Sequence, residues 1–219
     1  MTRNPVPGDE LARRLSLIVV ADTAGRSPGE LLQQVRGALA AGAPALQLRS
    51  KGPSARDEYT LAVRLRHETR ARGALFFVND RVDVALACGA DGAHLGTDDL
   101  PLVAARRITP PGFLLGFSAG TVAEARAAEQ EGADYLGVGA VFTTGSKTDA
   151  GAPIGTARLQ EIVRSVAIPV VGIGGIGVNN VGKIRAAGAA GAAVIRAVLG
   201  ATDPGAAVRA LLPPGAGHS

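Results

Sequence analysis

ACGADGAHL, residues 87–95, reads as the close of one helix and the opening of a strand. Gly89 stands where a residue in the left-handed conformation ends a helix; small residues then turn the chain, and 92–95 run apolar apart from His94. The same pattern recurs in AAGAPAL (40–46), EQEGADYLGV (129–138) and AAGAAGAAVI (186–195). Their glycines, Gly42, Gly89, Gly132 and Gly188, are 47, 43 and 56 residues apart, and each interval is long enough for two strand-plus-helix units. The four copies therefore mark the entries to strands two, four, six and eight of a repeating array.

Working outward from these anchors, apolar and often β-branched runs predict strands near 15–20, 45–49, 75–79, 92–95, 114–118, 135–141, 169–174 and 192–195. Segments of helical period fill the gaps, over 28–41, 55–72, 82–88, 102–108, 122–131, 157–166, 179–187 and 204–212. Two carry start signals: Ser27 precedes Pro28 with Glu30 in the first turn, and Ser54 precedes a helix with Asp57 at capping-box distance. Eight such units predict a single-domain (β/α)8 TIM barrel over residues 11–212, with a doubly wound open sheet as the alternative. Residues 1–10 and the tail 213–219 read as loosely ordered ends.

Composition narrows the function classes. The 219 residues are 47% hydrophobic and 19% charged, which is ordinary for a soluble globule. Aromatics are 3% with no Trp, too few for base-stacking platforms, and the net charge of +4 is modest. The densest basic segment, RLRHETRAR (64–72), spaces its charges as a solvated helix face does, so nucleic acid is not an expected partner. The apolar run LSLIVVA (15–21) is too short to cross a bilayer, so no membrane partner is expected and cytoplasmic residence is the expectation. Cys88, the only cysteine, lies in ALACGA at the end of a buried helix and is a poor nucleophile.

A barrel of this kind gathers its chemistry at the C-terminal ends of the strands, and the polar residues fall there. Strand two ends in Gln47, Arg49, Ser50 and Lys51, and alternation sends Gln47, Arg49 and Lys51 to one side. Strand three ends Asn79, Asp80, strand four leads into Thr97, Asp98 and Asp99, and strand five ends at Ser118. Strand six opens into Thr144, Gly145, Ser146 and Lys147, whose hydroxyls, backbone N–H groups and ammonium suit a phosphate. Each has a plainer reading: Asp98 and Asp99 as caps of the next helix, Arg49 as the partner of a neighbouring carboxylate, the glycine loop as a surface turn. His94 is expected to pack or hydrogen-bond inside the barrel, below the mouth.

Asp80 and Asp99, on adjacent strand ends, suggest a Mg2+ site, because magnesium takes one or two carboxylates and completes its shell with water and substrate phosphate. With Arg49, Lys51 and Lys147 nearby, the expected ligand is a pyrophosphate departing as a leaving group. Gly174 and Gly175 form a second candidate phosphate site, so two phosphorylated small molecules, or one with phosphates at both ends, are expected.

QLRSK (47–51), FVNDRVDVAL (77–86), GADGAHLGTDDLP (89–101), GVGAVFTTGSKTDA (137–150) and PVVGIGGI (169–176) resemble, in order and spacing, the thiamine phosphate synthase family, over roughly residues 15–200. The resemblance implies a transferase that joins a hydroxymethylpyrimidine pyrophosphate to a thiazole phosphate and releases pyrophosphate. It implies that Gln47, Arg49 and Lys51 hold the pyrimidine substrate, with Asn79, Ser118 and Lys147 completing its contacts, and that Asp80 and Asp99 bind Mg2+. Thr144, Gly145, Ser146, Gly175, Ile195 and Arg196 then fall at the thiazole-phosphate site. The chain departs from the family pattern at Ser50 (usually Glu), Thr97 (usually Gln), Ala140 and Thr143 (usually prolines) and Arg196 (usually Ser). Ser50, grouped with the pyrimidine contacts, alternates away from them; Arg196 adds a cation beside the second phosphate. The alternatives are a thiazole tautomerase-like paralogue, whose histidine after strand five is missing from GFSAGTVAEA (116–125), and a non-catalytic barrel that binds a thiamine precursor. A homo-oligomer is compatible with either.

Overall fold

Eight parallel strands close on themselves in sequence order in the computed structural model, which describes residues 8–50, 54–145 and 152–213. The strands are β1 (Leu17–Asp22), β2 (Ala45–Arg49), β3 (Leu75–Asn79), β4 (Gly92–Leu95), β5 (Leu114–Ser118), β6 (Tyr135–Val138), β7 (Val170–Ile173) and β8 (Gly191–Val194). The helices that follow them are α2 (Pro28–Ala40), α3 (Ala55–Arg70), α4 (Val82–Ala87), α5 (Leu102–Ile108), α6 (Val122–Gln130), α7 (Gly155–Val163), α8 (Val181–Ala186), then α9 (Arg196–Leu199) and α10 (Pro204–Leu211) after β8. This is the expected barrel; the open sheet is excluded by pairing of β1 with β8.

The repeat that announced the fold has a physical basis. Gly42, Gly89, Gly132 and Gly188 all have positive φ, between 68° and 95°, and each ends a helix where a side chain would be strained. Two copies also contain an aspartate with the same task. Asp91 accepts from the Phe76 amide at 2.8 Å and from Arg66 at 2.9 Å; Asp134 accepts from the Leu115 amide and from Arg106, both at 2.7 Å. Each carboxylate thus ties the foot of one strand to the helix before it.

Two apolar layers result. Alternate strand residues pack with the helices outside, and the others, among them Ile18, Val20, Leu75, Phe77, Leu114, Tyr135 and Val171, fill the barrel interior. Leu11 and Leu15 belong to that inner cluster, brought there by α1 (Gly8–Arg14), which closes the floor of the barrel. Residues 8–10, expected as part of a loosely ordered N-terminus, fall in α1, whose Leu11 packs against the interior. Residues 1–7 and 214–219 lie outside the described residues.

Candidate active site

The strand C-termini open into a cleft of about 1090 Å³, lined among others by Arg49, Asn79, Asp80, Thr97, Asp98, Asp99, Ser118, Thr144, Gly175, Ile195 and Arg196. A small cavity of about 30 Å³ lies beneath it on the barrel axis, where Gln47, Arg49, Asn79, His94, Ser118 and Tyr135 meet. Most of the residues assigned from sequence are thereby brought to one place. Ser50 is half-buried and outside the lining of both cavities, as its outward alternation implies. Lys51, Ser146 and Lys147 lie outside the described residues.

One half of the rim is made of side chains. Arg49 is buried at the end of β2 and its guanidinium meets Asp22 Oδ2 at 2.5 Å; Asp22, at the end of β1, is 3% exposed. The pairing also orders the loop beyond β1, since Asp22 Oδ1 accepts from the Ala24 amide at 2.9 Å and the Thr23 amide donates to Arg49 O at 3.1 Å. Sequence reading left a carboxylate partner for Arg49 open without naming Asp22, having ended the first strand two residues early. Next to it, Gln47 donates to Asn79 Oδ1 at 2.8 Å, and Asn79 donates to Asp80 Oδ1. Asp80 stands at φ 64°, its amide donating to His94 O at 2.8 Å, while Asp99 Oδ2 accepts from the Gly96 amide at 2.7 Å. The Asp99 carboxylate is thus anchored to the backbone just beyond β4, and the Asp80 carboxylate is held by the Asn79 side-chain amide.

Glu58, at the start of α3, is held above the usual carboxylate range, first by burial and then by Asp80 and Asp83, against the lowering effect of Arg81. It was not singled out in the sequence, where it reads as the second acidic residue of a helix start.

The other half of the rim is mostly backbone. Val141 and Phe142 amides donate to Ile173 O at 2.8 Å and Gly174 O at 3.1 Å, laying the chain after β6 against the end of β7. Asn180 fastens the turn after β7, accepting from the Gly177 amide at 2.8 Å and donating to Gly175 O at 2.9 Å. Arg196, exposed at the start of α9, lies over Gly145: a Cβ there would be 3.4 Å from its Nη2. Arg196 is thus turned toward the Thr144–Gly145 segment.

The family model for thiamine monophosphate synthase matches residues 17–198. The chain belongs to that family. The thiamine-phosphate synthase of Moorella thermoacetica is 52% identical over 197 residues, 90% of this chain and 93% of that one. That of Methanoculleus marisnigri is 52% identical over 194 residues, 89% of this chain and 92% of its own. The solved thiamine phosphate pyrophosphorylase of Pyrococcus furiosus superposes with a TM-score of 0.84 at 45% identity, covering 92% of this chain and 95% of that one. A 3-hexulose-6-phosphate synthase, 18% identical with a TM-score of 0.68, shares the fold alone. No helix among the described residues is long and apolar enough to cross a membrane.

Proposed function

We propose that this chain is a thiamine-phosphate synthase, condensing 4-amino-5-hydroxymethyl-2-methylpyrimidine pyrophosphate with thiazole phosphate. The carrying observation is that one cleft has two rims suited to anions: a charged, side-chain rim over β1–β4 and a glycine-rich rim over β6–β8. Family membership supports the same reading.

The reaction breaks the bond between the pyrimidine methylene carbon and a pyrophosphate oxygen, which keeps the electron pair. The thiazole nitrogen then gives its lone pair to the resulting pyrimidine carbocation. Such a step needs stabilised leaving-group charge rather than a protein nucleophile, and preorganised donors are the efficient means. Arg49, oriented by Asp22, supplies one fixed cation; Lys51 and Lys147 are assigned the same task. Gln47 and Asn79, already hydrogen-bonded to each other, present amide groups to the pyrimidine substrate, and Ser118 offers a hydroxyl at the end of β5. Thr144, Gly145, Ser146, Gly175, Ile195 and Arg196 are assigned to the thiazole phosphate, whose negative charge Arg196 attracts. Holding that partner close and excluding water favours capture by nitrogen over hydrolysis.

Asp80 and Asp99 fit Mg2+. Both offer hard carboxylate oxygens, just beyond the ends of the adjacent strands β3 and β4, and Asp99 has one oxygen engaged by the Gly96 amide, which fixes its orientation. Among the described residues no three acidic, histidine or cysteine side chains cluster to form an all-protein cage, and magnesium does not need one. When bound, Mg2+ neutralises charge developing on the departing pyrophosphate. Substrates this highly charged suit cytoplasmic residence.

The test is formation of thiamine phosphate by the purified protein from the two precursors, with Mg2+ and then with excess EDTA. Product that appears with Mg2+ and vanishes with EDTA is expected. No product from a folded protein that binds thiazole phosphate would overturn the assignment in favour of a tautomerase-like or non-catalytic barrel.

A further inference from the structure

Beneath the cleft, the barrel interior carries two polar rings, His94 and Tyr135, that the mechanism above leaves unused and that lead to Ser118. His94 Nδ1 lies 3.1 Å from the Tyr135 hydroxyl, and His94 Nε2 lies 3.0 Å from Ser118 Oγ. The three residues come from adjacent strands: His94 is in register with Gly116 on β5, and Gly116 with Tyr135 on β6.

The barrel is built around this chain. A Cβ on Gly116 would stand 2.2 Å from Tyr135 Cζ and 2.5 Å from His94 Nδ1, and one on Gly137 would stand 2.9 Å from His94 Cε1. Two inward positions that a barrel ordinarily fills with branched apolar side chains are left empty so that the two rings fit. An imidazole and a phenol placed there lose their hydration, a cost that only good hydrogen bonds offset.

The direction of those bonds follows from the donor inventory. Tyr135 is 1% exposed, and burial pushes its phenol above the ordinary range, so its proton stays on. Among the described residues His94 is the one hydrogen-bond partner of that hydroxyl, so the O–H donates to Nδ1. An imidazole that accepts at Nδ1 is neutral and carries its proton on Nε2. Nε2–H therefore donates to Ser118 Oγ, which leaves the serine's own hydrogen for a partner in the cleft that Ser118 lines.

We propose that Tyr135 and His94 are positioning residues that lock the Ser118 hydroxyl as a donor aimed at an anionic oxygen of the departing pyrophosphate. The identity of that anion rests on the synthase reading; the direction of the hydrogen-bond chain does not. An unsupported serine hydroxyl rotates among donor and acceptor orientations, and fixing it beforehand removes that reorganisation from the reaction.

Nitrogen-15 spectra of histidine-labelled protein, with His94 assigned as the signal lost in His94→Gln, read the chain directly. A neutral ring protonated at Nε2 is expected; protonation at Nδ1 overturns the proposal. Tyr135→Phe keeps the ring and removes the donor. It is expected to mix the His94 tautomers and to lower kcat roughly 10- to 100-fold, with KM for both substrates within about twofold of the parent. Unchanged turnover, or a loss confined to KM, overturns it. If Tyr135→Phe does not fold, the tautomer in the unaltered protein decides. The spectrum tests the relay and product formation tests the synthase assignment, so failure of one is distinguishable from failure of the other.

Discussion

In the proposed function the two halves of the cleft rim each hold an anion, and they are built by opposite means. Over β1–β4 the groups are side chains that hold one another: Asp22 on Arg49, Gln47 on Asn79, Asn79 on Asp80. Over β6–β8 the chain is glycine-rich and laced by backbone hydrogen bonds, with Arg196 as an exposed cation among the described residues. The contrast matches the tasks. A leaving pyrophosphate gains charge during the reaction and needs fixed cations, whereas a phosphate that merely anchors its molecule is served by backbone N–H groups. Changes in the first half should therefore cost both fold and turnover, and changes in the second mainly affinity.

Arg49→Ala is the strongest way to break this comparison. It leaves Asp22, 3% exposed, without its guanidinium, and an uncompensated buried charge costs roughly 3–5 kcal/mol. A chain of this size should then melt about 10 °C lower, and turnover should fall by at least about 100-fold with the lost cation. Thermal melting beside kcat measures both. A variant as stable as the parent would show that the pair is functional only, and the two rims would differ less than they look.

Much of this contrast was readable in the sequence. Strand ends collected Gln47, Arg49, Asn79, Asp80, Asp99 and Ser118 on one face because a barrel's topology leaves few choices, and four glycines marked alternate strand entries because their φ values allow few other residues. What stayed hidden was non-local. Asp22 follows an alanine at the end of an apolar run and looks like a turn residue; only Arg49, 27 positions on, explains its burial. Helix α1 has Leu11 as its single buried residue and is held by the barrel floor rather than by its own pattern. Strand six was expected to reach residue 141 but ends at Val138, because the chain beyond it leaves the regular ladder while still bonding to β7. His94 was rightly expected to hydrogen-bond below the mouth, but its partners required the register of three strands.

Gly175→Ala probes the backbone half. Gly175 has φ 65°, and a Cβ there would stand 2.5 Å from Thr143 O, so a methyl group strains the turn and displaces the chain after β6. The cost should be about 1–3 kcal/mol of stability, less than for Arg49→Ala. KM for thiazole phosphate should rise more than kcat falls, and KM for the pyrimidine pyrophosphate should hold. Equal losses for both substrates would mean that the two rims act as one unit.

Arg196→Ser gives the smallest expected effect and the finest test of the division. The side chain is exposed, so its attraction for phosphate is screened by water and salt, and removing it should raise KM for thiazole phosphate only about threefold to fivefold while leaving kcat unchanged. Added salt distinguishes this from a packing effect. In the parent, KM for thiazole phosphate should climb with ionic strength; in the variant the climb should be shallower, and the two should converge as salt approaches about 1 M, where the screening length is about 3 Å. Arg196 also lies over Gly145, so a variant that lost turnover at every salt concentration would show that this cation orders the chain after β6 rather than attracting the ligand. The backbone rim would then depend on a side chain, as the other rim does.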